Sequence, residues 1–240
     1  MNTLIFAKIL LSFLHLSFAS YQDLKRREVD DRVWLSMILF GVLFALYESL
    51  SLGNFLPLER SFLAMGACFF IAYIITSFNL FGGADGMALI GIGAMIPKFE
   101  RDFIFFLFPL SVFNNALLCV LVLPLILLSY NLLRKSKMSN VKASTLKRGI
   151  AYFLGYPIKT EKLDFRVFPL EFIENDEKVL RLFTRDLDYD YEKHREEFRK
   201  KSIDEIWVTY GIPFIFVITL GFLLTLIFGD LIVRLVFEFL

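Results

Sequence analysis

Two aspartates, Asp23 in SYQDLKRREVDDRVW and Asp85 in NLFGGADGMALIGIGAM, occupy settings in this chain that call for chemistry. Asp85 lies in a glycine-rich, otherwise apolar stretch, where an ionised carboxylate is costly unless it has water, a partner or a proton. Two carboxylates brought together from distant points of a chain can share one proton. Close like charges cannot both ionise cheaply, so one group stays protonated while its neighbour serves as a base. Such a pair activates water and protonates a leaving group, and it titrates as a unit. Gly82 and Gly83, just before Asp85, permit unusual backbone angles and close approach by an extended peptide. The plainer alternatives are Asp85 as a helix N-cap and Asp23 as a solvated interface residue beside Lys25 or Arg26. The glycine pair and the topology below tip the balance toward a site.

The elements that must position these groups belong to a membrane. Of 240 residues, 57% are hydrophobic and 29 are phenylalanine, which places the chain among polytopic membrane proteins. A net charge of +1 speaks against a nucleic-acid partner. Cys68 and Cys119 sit in apolar runs and read as small buried hydrophobes. With only two histidines and no CxxC pattern, neither a metal nor another cofactor is expected. Windows long enough for a hydrocarbon core of about 30 Å fall at 3–20, 33–50, 61–81, 102–130 and 206–228, with a shorter one at 86–97. The first reads as a retained span rather than a cleaved signal.

Basic residues near the span ends set the orientation. Lys25, Arg26, Arg27, Arg32, Arg134, Lys135, Lys137, Lys200 and Lys201 cluster on one side, against Arg60, Lys98 and Arg101 on the other. That bias puts both termini outside and the connections 21–32, 82–85 and 131–205 in the cytoplasm, so both aspartates open on the same face. The short helix from Gly86 rises about 18 Å to Pro97, which sets Asp85 deeper than Asp23. The two carboxylates are therefore expected to be incompletely aligned at rest and to close on substrate.

The expected fold is an all-α polytopic membrane protein of about six spans, with a small α+β cytoplasmic insert before the last helix. Its parts are a membrane domain over 1–133 carrying both aspartates, a soluble domain over 134–205, and a last span with its tail over 206–240. Within the insert, KLDFRVFPLEFI alternates like a strand that Pro169 confines to a sheet edge. Tyr191, His194, Phe198, Ile203 and Ile206 recur like one face of a helix. The tail GDLIVRLVFEFL reads as an extension of the last helix or an interfacial segment.

Asp23 with Lys25, Arg27 and Val29, followed by GGAD opening a short glycine-rich helix, resembles the GxGD aspartic proteases of the prepilin peptidase group. IWVTYGIPFIFVITLG at the last span and the preceding insert are similar to the archaeal preflagellin peptidases within it. Ala84 replaces the second glycine of GxGD, and Asp31 stands where relatives often carry asparagine. The resemblance implies a metal-free cut on the cytoplasmic side, removing a short basic leader from preflagellins or pilin-like precursors. Asp23 and Asp85 would activate the water, while Gly82, Gly83, Ala84 and Lys25 would border the substrate. The cysteine-rich loop of bacterial relatives is missing, so methyl transfer and its cosubstrate are not implied. A basic leader suggests an acidic receptor at Glu171, Glu174, Asp176 and Glu177 or at 186–192, although a solvated domain surface is the favoured explanation of both clusters. Other readings are a peptidase for pilin or adhesin precursors, a transporter using Asp85 as an ion site, and a non-catalytic scaffold.

Overall fold

A computed structural model describes residues 3–77, 82–99, 107–175, 177–182 and 190–238. Its elements in chain order begin with α1 (Thr3–Arg26), α2 (Asp31–Leu52), α3 (Leu56–Ser77), α4 (Gly83–Met95) and α5 (Phe108–Arg134). Then follow β1 (Val141–Lys142), α6 (Thr145–Leu154), β2 (Tyr156–Lys159), β3 (Val167–Pro169), β4 (Glu171–Glu174) and β5 (Glu177–Leu180). The last are α7 (Tyr191–Lys200), β6 (Glu205–Tyr210), α8 (Phe214–Phe228) and α9 (Leu231–Glu238). Two compact units result, Met1–Val120 with Pro213–Leu240, and Leu121–Ile212.

α1, α2, α3 and α5 are long and apolar enough to cross a membrane, and α8 with α9 makes a fifth candidate bent by 49°. The chain is thus a mostly helical, multi-pass membrane protein with four to five such spans among the described residues. Large side chains such as Phe69, Phe70 and Tyr73 stand exposed on α3, as a lipid-facing surface requires. α1 continues to Arg26 instead of ending near Ser20, because QDLKR lacks a helix breaker. Asp23 therefore belongs to the helix and not to the connection after it. The shorter apolar helix α4 is buried at every residue from Gly86 to Met95 except Met87.

Small residues let α4 sit deep. A methyl group on Gly41 of α2 would fall 2.5 Å from the Ala94 carbonyl carbon, and one on Gly86 would fall 2.7 Å from Ala72 Cβ of α3. Ser61 of α3 donates to Ala94 O at 3.0 Å. Backbones this close are typical of small-residue helix contacts in membranes. Around α4, Trp34, Met37, Ile92, Met95, Phe108 and Phe222 fill the core. α1 and α2 are also joined by charge: Lys8, 4% exposed, pairs with Glu48 at 2.6 Å. The α8–α9 bend is held by Asn115 of α5, which donates to Gly229 O at 2.8 Å and accepts from Leu231 N–H at 3.0 Å. Gly229 there has φ +75°, open to glycine at little cost.

The second unit carries two three-stranded sheets, β1-β5-β4 and β2-β6-β3. β1 runs parallel to β5, and the other pairs are antiparallel. β3 is an edge strand ending at Pro169, as its missing N–H demands. β6 alternates between two cores: Ile206 and Val208 face one with Phe198, and Trp207 enters the other with Leu170 and Leu180. This corrects two expectations. The helical face does not run on to Ile206, since α7 stops at Lys200 and Ser202 turns the chain at φ +53°. The last membrane helix does not start at Ile206 either. EIWVTY is β-branched and aromatic and pairs in a sheet, and the helix begins at Phe214, after Pro213.

Candidate active site

Asp23 lies in the final turn of α1, and its Oδ2 accepts the Ile215 N–H at 3.3 Å. Ile215 is the second residue of α8, where the first N–H groups have no partner inside the helix. One turn to either side, Ser20 and Thr219 hydroxyls meet at 2.7 Å. Thr219 can also donate to Ile215 O at 2.9 Å or Leu16 O at 3.3 Å, and either hydroxyl can be the donor in its pair with Ser20. Hydroxyls at i−3 from Asp23 and i+4 from Ile215 thus bind α1 to α8 at the point where the carboxylate is held.

Asp85 is the third residue of α4, and its Oδ2 accepts the Gly82 N–H at 3.0 Å. The cap itself is Gly82 and Asp85 is at N3, so the N-cap alternative is three positions off. Its carboxylate supplies the reaching-back half of a capping box, while Gly82 has no side chain for the other half. The glycines are not there for unusual angles. Gly82 is extended, at φ −76° and ψ 159°, and Gly83 is helical. Their use is openness: a methyl on Gly83 would meet nothing within 4 Å, and one on Gly82 would meet only the Asp85 carboxylate at 3.6 Å. Both are exposed, while Ala84 and Asp85 are half-buried.

The helices α1, α4 and α8 pack on one another in all three pairings. They bring Asp23 and Asp85 within electrostatic range of each other, with the Arg27 charge also acting on Asp23. No hydrogen bond joins the two carboxylates. Lys25 is not drawn in; its ammonium lies 3.3 Å from the Tyr21 hydroxyl and over that ring. Sequence reasoning missed the Ile215 N–H, Ser20 and Thr219. The available signal was two hydroxyls in apolar helices, a common sign of contact between spans.

In the second unit, the first acidic cluster is already matched by cations. Glu171 pairs with Lys178 at 3.1 Å, Glu177 with Lys142 at 2.8 Å, and Glu174 with Arg181. Asp176 of the first cluster and 186–189 of the second lie outside the described residues; Asp190 caps α7. Among the described residues, each carboxylate of the first cluster has a cation partner. Glu171 is also not the solvated residue expected, being 1% exposed. Burial pushes its carboxyl above the usual range, against the pull of Lys178 and of the Trp207 backbone N–H. A carboxyl raised on folding binds its proton more tightly in the native state. Its contribution to stability is therefore greatest below the unfolded value and falls as pH rises through the folded one. Lys178→Met should cost the sheet about 3–5 kcal/mol at about pH 8. The deficit should shrink toward about pH 5, where a proton replaces the lost cation. Hydrogen exchange of the β4 and β5 amides at the two pH values measures it.

The sequence of this helical chain is similar to those of known peptidases. A model described as the type IV leader peptidase family covers residues 10–125, and one for the archaeal peptidase A24 C-terminus, type II, covers 147–231. The chain is 32% identical to the preflagellin peptidase of Methanococcus maripaludis over 234 residues, 92% of this chain and 94% of that protein. It is 33% identical over 229 residues to the one from Methanocaldococcus jannaschii, 91% and 92% of the two chains. For the Methanococcus voltae protein the figures are 30% over 237 residues, 94% and 97%. The chain belongs to the type IV leader peptidase family, as the resemblance in Asp23 and GGAD implied.

Proposed function

We propose that this protein is an aspartic endopeptidase that removes the leader peptide from preflagellins or closely related precursors at the cytoplasmic face of the membrane. The observation that supports it most is the pairing of Asp23 and Asp85, delivered by different helices into electrostatic range beside an open glycine face. One carboxylate takes a proton from water as the oxygen attacks the scissile carbonyl. Its protonated partner then gives a proton to the leaving nitrogen as the C–N bond breaks, yielding a carboxylate and an amine. The extended substrate lies against Gly82, Gly83 and Ala84, and its arrival closes the remaining gap between the carboxylates. With α4 as a short sixth span and both termini outside, the pair opens inward. Membranes carrying the wild type, Asp23→Asn or Asp85→Asn, incubated with a preflagellin, test the assignment through leader removal.

In this reading Ser20 and Thr219 position Asp23 without touching substrate. Thr219→Val keeps the side-chain volume but removes the hydroxyl. It should lower kcat about tenfold, the equivalent of about 1.4 kcal/mol, with KM unchanged. Thr219→Ser should retain activity. A steady-state series on the three proteins separates positioning from a packing defect, which Thr219→Ser would share.

A further inference from the structure

Helix α6 turns its larger apolar residues away from the core. Ala151 is buried and Tyr152 half-buried on the inner side. On the opposite side, Leu146, Ile150 and Phe153 form one stripe at i, i+4 and i+7 and are 74%, 37% and 39% exposed. Gly149 joins them, and a methyl there would meet nothing within 4 Å. Such a stripe on the outside of a sheet-containing unit calls for a cover.

The attachment of α6 indicates the cover. Asn131, fully buried near the end of α5, donates to Tyr152 O at 2.9 Å and Gly155 O at 2.7 Å. Tyr152 in return donates from its hydroxyl to Ser136 O at 2.7 Å. α5 is long and apolar enough to cross a membrane, so its final turn is where the chain leaves the hydrocarbon. α6 is clamped to that turn. Charge points the same way. From Arg134 to Gly155 the chain holds Arg134, Lys135, Lys137, Lys142, Lys147 and Arg148, and no Asp or Glu. Arg134 and Lys142 have exposed ion-pair partners, which bind weakly. Lys135, Lys137 and Lys147 are exposed and have no ion pair among the described residues.

We propose that α6 is an interfacial helix lying in the headgroup layer of an anionic lipid surface, at the leaflet where α5 ends. Leu146, Ile150 and Phe153 enter the boundary of the acyl chains, and Lys135, Lys137 and Lys147 sit over anionic headgroups. The clamp to α5 removes most of the entropic cost of finding the membrane. A modest apolar stripe then suffices for docking, where a free helix would need a larger one. The assignment is independent of the peptidase reading.

The full chain in lipid nanodiscs tests it. In a Cys68→Ala, Cys119→Ala background, Leu146→Cys or Phe153→Cys is labelled with a polarity-sensitive dye. Lys193→Cys on the exposed side of α7 serves as the water-facing control. Labels at 146 and 153 should shift to the blue and be quenched by lipids bearing a nitroxide near the headgroup, unlike the control. Replacing Lys135, Lys137 and Lys147 together with glutamate should shift the docked-to-free ratio by roughly a hundredfold or more. Quenching equal to the control overturns the proposal, as does quenching indifferent to lipid charge. Protection that appears only with two copies per disc also overturns it and assigns the stripe to a second chain. Because labelling can perturb folding, the unmodified chain is also exposed to a photoactivatable anionic lipid. Adducts should concentrate in the peptide spanning 146–153, and their absence there overturns the assignment.

Discussion

Leader removal from a preflagellin should fall by at least about a thousandfold when either Asp23 or Asp85 is replaced by asparagine, the scale on which paired acid–base groups operate. Asparagine is the informative choice because it retains the ground-state contacts. An amide oxygen at position 85 can still accept the Gly82 N–H, and one at position 23 can still accept the Ile215 N–H. What disappears is the exchangeable proton and the charge. The double replacement should be no worse than either single one, since a unit that shares one proton fails as a whole. The measurement is the cleavage rate per folded enzyme in membranes. Full activity in either variant, or a wild type inactive on every precursor offered, would reject the assignment and return the transporter and scaffold readings to consideration.

Gly41→Ala should also be damaging, although position 41 is on α2, away from the carboxylates. The added methyl would come within 2.5 Å of the Ala94 carbonyl carbon and 2.7 Å of the Met95 nitrogen. Both are backbone atoms, so no rotamer change relieves the clash, and α2 and α4 must separate. Overpacking of this kind costs about 1–3 kcal/mol. Because α4 carries Asp85 in its first turn, a shift on the order of 1 Å is enough to lower turnover roughly a hundredfold. The expected pattern is a lower melting temperature in detergent together with a fall in kcat. Gly66→Ala on α3, where a methyl meets nothing within 4 Å, should change neither. Equal behaviour of the two variants would show that the close approach at Gly41 does not position α4.

Much of this site was legible because its ingredients are local. GGAD announces bare backbone next to a carboxylate, and the small residues of GMALIGIGAM announce a helix that neighbours approach closely. Both appear at α4. The spans were legible in approximate place, because apolar length is a crude signal that survives errors of a few residues; six were expected, and four to five are long and apolar enough among the described residues. What could not be read was register between helices. Nothing in the sequence says that Ile215 presents its N–H to Asp23, or that Thr219 meets Ser20 about two hundred residues away. The first residues of the last span misled for a different reason. IWVTY is apolar enough to join a membrane window, and only its strand partners Tyr156–Lys159 and Val167–Pro169 show it to be a strand. The acidic cluster at Glu171 was misleading in the same way, since its cations come from Lys142, Lys178 and Arg181.

The contact between Lys8 and Glu48 bears on how the protein is made. A lone lysine within a span raises the cost of lodging that helix in lipid by about 2.5–3.5 kcal/mol at mid-depth, less toward the interface. During synthesis Lys8 emerges well before Glu48 can neutralise it. The first helix by itself is therefore a reluctant resident of the bilayer, and its partitioning improves once the second arrives. Biogenesis favours delivery of the two as a hairpin, with the charges already matched, so Asp23 reaches its depth only in the company of the helix that follows.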